Sequence, residues 1–231
     1  MRNRIVQELR GHLTNAGGVD PNRLALLVPE NSTCAEPVSR LTAASLRDAI
    51  GTIGAPVRPA DRFIFYYTGQ ANVVGGQLRL NLPGPDVTDE QLAKWLAGVR
   101  AETQAIILDC PCAAVAAKAL TRRGRILVLA STAEQVYATR FGAHFVPSLG
   151  RANTDANGDG KVSLLEAFTT AAREIEHWYQ QMQILPTETP SIEDDGDGTP
   201  GERPWRHEVE GGDGARAAEF VLTVPDRNGS D

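Results

Sequence analysis

The chain has 231 residues, 42% of them hydrophobic and 23% charged, enough to bury a sizeable core in one domain. Its formal net charge of −6 argues against sequence-independent nucleic-acid binding, which needs a concentrated basic surface; Arg122, Arg123 and Arg125 form only a short cluster. No apolar run approaches the roughly 18 residues of a membrane span, and Cys34, Cys110 and Cys112 do not make a disulfide framework, so a cytoplasmic protein without membrane or nucleic-acid partners is expected.

Ile5, Leu9 and Leu13 recur at helical spacing and predict an amphipathic first helix rather than a signal peptide. AGGVDPNR then reads as a turn and 24–28 as a short buried strand. A helix is predicted over 41–54, with Thr42 as N-cap and Leu46 and Ile50 four apart, broken by Pro56 and Pro59. FIFYYTGQA at 63–71 is an apolar, aromatic run that stops at small and polar residues, as a buried parallel strand does when its carboxyl end opens on a crevice. Leu78, Leu80 and Leu82 alternate with polar residues, as in a half-exposed strand or hairpin arm, and Thr88 caps a helix running to about 99.

IILDCPCAA at 106–114 is a second crevice strand, followed by an Ala-rich helix over 113–120, a strand over 126–130 and a long helix over 164–185. This alternation predicts an α/β fold with a mostly parallel sheet covered by helices. From 186 to 214 the composition shifts to Pro, Gly, Asp and Glu, and only 218–224 regains strand character. The expected organisation is one α/β domain over 1–190 and an irregular acidic tail over 191–231 with an edge strand near 218–224.

The segment 155–166, DANGDGKVSLLE, fits the EF-hand calcium loop at its defining places. Asp155, Asn157 and Asp159 stand at the first, third and fifth positions, and Gly160 permits the sharp turn at the sixth. Lys161 offers its backbone carbonyl, Ser163 acts through water, and Glu166 can close the site bidentately. Pro147 and Gly150 interrupt the entering side, so a single structural loop is expected rather than a paired sensor. Asp194, Asp195 and Asp197 offer no second loop of this type, because a count of twelve reaches Trp205 or Arg206; a solvated acidic turn is expected there.

The two strand ends resemble those of caspase-like and legumain-like cysteine peptidases, whose first strand ends in a Tyr-Thr-Gly-His-Gly type sequence and second in Leu-Asp-x-Cys-x-Ser-Gly. Thr68 and Gly69 match, whereas Gln70 stands at the His position and Ala71 at the following Gly; Leu108 and Asp109 match, whereas Pro111 stands at the Cys position and Ala113 and Ala114 at Ser-Gly. NLPGPDVTDEQLAKWL, LASTAEQVYATRFGAHF, DANGDGKVSLLEAF and the later DDGDG extend the resemblance over roughly 24–198, to a bacterial branch of this fold. It implies a three-layer caspase-like architecture. Relatives begin with a further strand ahead of the first helix, so the sheet here is expected either to be one strand short or to belong to a piece of a longer chain.

Cysteine proteolysis needs a thiolate and a neighbouring base. Gln70 cannot act as the base, and Pro111 removes both the thiol and a backbone N–H. His12, His144, His177 and His207 fall at helix faces, near the calcium-type loop or in the tail, and offer no clear substitute. Cys112 is the stand-in nucleophile to test, because a helix beginning at Ala113 would lower its pKa. Thr68, Gly69, Gln70, Asp109, Cys110, Pro111 and Cys112 are therefore expected to line a cleft without peptidase chemistry. The resemblance implies an inactive homologue, a pseudoenzyme with a calcium-stabilised loop that binds a peptide or protein partner. The alternatives are an atypical cysteine endopeptidase using Cys112 and a calcium-dependent structural interaction module.

Overall fold

A computed structural model describes residues 2–30, 39–206 and 212–224. In chain order these form α1 (Arg2–Asn15), β1 (Leu27–Val28), β2 (Ser39–Arg40), α2 (Ala43–Gly54), β3 (Arg62–Thr68), β4 (Ala71–Val74), β5 (Gln77–Leu80), β6 (Val87–Thr88), α3 (Asp89–Leu96), β7 (Thr103–Asp109), α4 (Ala117–Leu120), β8 (Arg125–Leu129), α5 (Phe141–Ser148), β9 (Val162–Ser163), α6 (Leu164–Met182), β10 (Ser191–Glu193), α7 (Ala215–Glu219) and β11 (Val221–Thr223). The central sheet has the order β10-β8-β7-β3, with β3, β7 and β8 parallel and β10 antiparallel to β8. The fold is mixed α/β, and no helix of the described residues is long and apolar enough to cross a membrane.

Both faces of the sheet are covered, which is why β7 and β8 read as continuous apolar runs rather than alternating ones. Ile106, Leu108, Leu127 and Leu129 point into one core with Leu46 and Ile50 of α2 and Leu92 and Leu96 of α3. Ala105, Ile107, Ile126 and Val128 point into the other, with Leu9 of α1, Phe141 and Phe145 of α5 and Phe168 of α6. Each fully buried aliphatic side chain contributes about 1.5–3 kcal/mol, so these alternating residues bind helices to both faces. Thr42 and Thr88 cap α2 and α3 as the sequence predicts, and Ser163, expected only as a loop ligand, caps α6; the three form capping boxes with Ser45, Gln91 and Glu166 respectively.

The structure corrects four expectations. The 24–28 segment contributes only Leu27–Val28, paired in parallel with Ser39–Arg40 outside the central sheet. Consequently β3, among the described residues, is an edge strand paired with β7 alone. The Ala-rich stretch begins as a 3-10 turn over Ala113–Ala116 and becomes helical only for Ala117–Leu120, because Cys112 enters it in the left-handed conformation at φ 55°. The stretch from 191, expected to be irregular up to the 218–224 strand, contains Ser191–Glu193 as the antiparallel fourth strand of the sheet, and Trp205 packs on Phe168 with ring centroids 6.0 Å apart. Finally, the strand expected near 218–224 is present as β11 but pairs with β9, while 215–219 is helical.

Candidate functional site

The carboxyl ends of β3 and β7 lie side by side in register, Thr68 opposite Asp109, and Gly69 donates its N–H to the Asp109 carbonyl at 3.2 Å. This brings Thr68, Gly69, Gln70, Asp109, Cys110, Pro111 and Cys112 to one end of the sheet. Gln70 is exposed, and its backbone carbonyl accepts from the Tyr67 hydroxyl at 2.7 Å and from the Asn81 N–H at 2.9 Å. Its amide side chain stands at the rim.

The second strand end is closed. Cys110 and Pro111 are buried, and Cys112 is 2% exposed with its thiol 3.6 Å from the Gln135 carbonyl. The N–H of Cys112 goes to the Gln135 carbonyl at 2.9 Å, that of Ala113 to the Ser131 hydroxyl at 3.1 Å, and that of Ala114 to the Ser131 carbonyl at 3.0 Å. Because Pro111 has no N–H, four successive positions offer no free donor to a developing oxyanion. The expected lowering of the Cys112 pKa is not found. Burial and then the charge of Glu134 raise it, and a 3-10 turn of four residues replaces the helix that was to stabilise the thiolate. Burial, then Asp109, holds the Cys110 thiol higher still.

The histidines are engaged elsewhere. His144 pairs with Glu174 at 2.9 Å, His177 with Gln181 at 2.7 Å, and His12 lies 3.9 Å from Glu8. His207 and Cys34 lie outside the described residues.

Behind the strand ends sits a buried acidic pair that periodicity did not signal. Asp109, 3% exposed, accepts from the Thr139 hydroxyl at 2.6 Å and the Tyr66 hydroxyl at 3.1 Å. Burial raises its pKa, opposed by the Thr139, Thr68 and Tyr66 hydroxyls. Glu188, 2% exposed, accepts the N–H groups of Arg140 at 2.7 Å and Phe141 at 3.1 Å at the start of α5. Burial lifts its pKa to about 7, with the charge of Asp109 adding to the rise against those N–H donors. Both carboxylates are engaged inside the fold: Asp109 satisfies the Thr139 and Tyr66 hydroxyls, as a buried carboxylate must, and Glu188 the first N–H groups of α5.

The 155–166 loop has the hydrogen bonds its spacing implies. Asp155 accepts from Gly158, Asp159 and Gly160 N–H groups at 2.8, 3.1 and 2.8 Å, Asn157 from Asp159 at 2.8 Å, and Asp159 from Lys161 at 2.8 Å. Glu166 accepts from Ala156 and Asn157 N–H groups at 3.0 and 3.3 Å through one oxygen and from the Ser163 N–H and hydroxyl at 2.9 and 2.8 Å through the other. The donor set of Asp155, Asn157, Asp159, the Lys161 carbonyl, Ser163 and Glu166 fits a hard cation in kind and number. To ligate one, Glu166 would exchange hydrogen bonds for the ion. The strand emerging from the loop, β9, pairs with β11 rather than with another loop.

A different acidic group converges more closely. Among the described residues, one ligand oxygen from each of Glu193, Asp195 and Asp197 lies within 4.8 Å of the others. Glu193 closes β10 and is 0% exposed, whereas both aspartates are exposed. The solvated turn expected for Asp194, Asp195 and Asp197 is corrected at Asp194, which is 1% exposed and accepts the Gly214 and Ala217 N–H groups at 2.8 and 2.7 Å, while Asp195 and Asp197 are exposed.

No protein-family model and no curated protein matches the chain. Among solved structures, the crystal structure of protein GSU0716 from Geobacter sulfurreducens aligns over 82% of this chain and 83% of that one, with 15% identity and a TM-score of 0.49.

Proposed function

We propose that this chain is a caspase-like, legumain-like homologue that has lost peptidase chemistry and binds an extended peptide or protein segment beside the vacated strand ends. The observation that carries the reading is the state of the two reacting positions: an exposed amide at Gln70 and a buried ring at Pro111, with the N–H groups of Cys112, Ala113 and Ala114 already engaged. A helix-covered, mainly parallel sheet is compatible with the three-layer caspase-like architecture that the motifs imply.

Peptide binding draws support from the cavity of about 470 Å3 beside β3, lined by Leu9 and Leu13 of α1, Leu46, Ala49 and Ile53 of α2, and the strand itself up to Thr68. An edge strand presents backbone donors and acceptors at alternate residues, and an extended segment completes them while its side chains fill an apolar trough. The walls formed by α1 and α2 suit a single strand better than the edge of a second folded sheet. A calcium ion in the 155–166 loop belongs to the same reading as a structural element, stiffening the entry into α6.

The test uses a diverse library of extended peptides with calcium present. Binding without turnover is expected, weakened about tenfold or more by Ala49→Trp, which fills the trough from the half-buried face of α2. Turnover abolished by Cys112→Ala would instead establish the atypical peptidase, and binding indifferent to Ala49→Trp would remove the trough from the account.

A further inference from the structure

We propose that Glu193, Asp195 and Asp197 form a site for a hard divalent cation, separate from the 155–166 loop and from the vacated strand ends. Glu193 is anchored by the sheet: its neighbour Ile192 exchanges hydrogen bonds with Gly201 at 2.9 and 2.7 Å, and Glu193 itself stands opposite Leu127 of β8. The loop between these anchors turns back through Gly196 and Gly198, at φ 94° and 81°, a conformation that glycine adopts without strain. These turns bring the Asp195 and Asp197 carboxylates alongside Glu193, ligand oxygens within 4.8 Å of one another.

The second, independent observation concerns the Glu193 carboxylate. One oxygen accepts the Gly196 and Gly198 N–H groups at 2.9 and 3.1 Å, while the other is fully buried and has no hydrogen-bond partner among the described residues. A buried carboxylate oxygen without a partner is costly, and the usual remedies are a donor, a basic side chain or a metal ion. No basic side chain among the described residues forms an ion pair with Glu193, Asp195 or Asp197. Three carboxylates gathered with no basic partner among the described residues repel one another; a cation removes that repulsion and is one remedy for a buried carboxylate with an oxygen left unpartnered. An all-oxygen, carboxylate-rich set with two ligands facing water selects calcium or magnesium over softer metals, since water completes the shell.

The experiment is calorimetric titration of the EDTA-stripped full chain with calcium alone and magnesium alone. It is run in a Glu166→Gln background that disables the first loop. One cation per chain is expected there, with affinity lowered about tenfold or more when Asp195→Asn and Asp197→Asn are added, as ligand charge sets affinity in such sites. Saturating calcium should also raise the melting temperature of that background by about 5 °C. Glu193→Gln should abolish this rise without lowering the melting temperature in EDTA. No binding up to about 10 mM cation, well beyond the weakest range of biological calcium sites, overturns the proposal. So does binding unchanged by the paired asparagines, or a Glu193→Gln variant that melts lower in EDTA yet keeps the calcium shift.

Discussion

The chain carries two acidic loops whose sequence and structure point in opposite directions. The 155–166 loop fits a metal motif at every defining place, yet its carboxylates are satisfied by the loop's own backbone: Asp155 holds three N–H groups, and Glu166 holds Ala156, Asn157 and Ser163. The 193–199 loop fits no such motif, yet it gathers three carboxylates and leaves one buried oxygen without a partner. Spacing reports which residues can reach a common centre. Whether a carboxylate then needs a cation depends on what else reaches it, and a regular loop is good at supplying backbone donors. The first loop can therefore hold its shape before any ion arrives; in the second, Glu193, Asp195 and Asp197 also accept loop N–H groups, from Gly196 and Gly198, from Asp197 and from Thr199, and what sets it apart is the one buried Glu193 oxygen that finds no partner among the described residues.

The broadest test of that contrast separates buried acidity from cation demand. Glu188 is buried but holds two N–H groups, and its pKa in the folded chain is about 7 against a usual 4.5. The folded state therefore binds this proton more tightly than the unfolded chain does. The resulting stability is fully present below pH 4.5 and is lost as pH rises through about 7. Unfolding in urea should show a loss on the order of 3 kcal/mol between pH 4.5 and 8, indifferent to calcium and flattened in Glu188→Gln. A profile of equal steepness in that variant would assign the titration elsewhere.

Next in size is Asp155→Ala, which removes the carboxylate that accepts from the Gly158, Asp159 and Gly160 N–H groups. A loss of about 2 kcal/mol is expected even in EDTA, read as a melting temperature lower by about 6 °C. Were the loss seen only with calcium present, the loop would owe its shape to the ion, and the contrast with 193–199 would collapse.

A smaller effect of opposite sign is expected at Glu193. In EDTA, Glu193→Gln replaces a buried carboxylate that has one oxygen unpartnered among the described residues, so the melting temperature should be unchanged or higher by up to about 3 °C. The smallest effect is at the strand ends: Cys112→Ala should change stability by less than about 1 kcal/mol and leave the proposed peptide binding intact, because the thiol is a small buried group.

Much of this arrangement was legible beforehand, for identifiable reasons. The helix starts at Thr42, Thr88 and Ser163 depend on residues three apart, and the crevice strands at 63–71 and 106–114 announce themselves by apolar runs ending in small or polar residues. Gln70 and Pro111 are negative statements about chemistry that residue type alone can make. The fate of Cys112 was not legible: its left-handed backbone and its packing against Gln135 depend on the 131–135 loop, twenty residues further along. Nor was the role of 191–193, since three residues set in a Pro, Gly and Asp-rich stretch carry too little periodicity to read as a strand until β8 supplies the partner.

Local chemistry thus determined the order of helices and strands, the absence of a base at Gln70 and of a thiol and N–H at Pro111, and the geometry of the 155–166 loop, because each rests on residues within a dozen positions of one another. Tertiary structure alone decided that β3 is, among the described residues, an edge strand beside a cavity, that Asp109 and Glu188 are both buried, and that one oxygen of Glu193 is left there without a partner near two exposed aspartates. Burial and charge are properties of what the chain brings together from a distance, and desolvation turns an ordinary carboxylate into one that titrates near neutrality or calls for a cation.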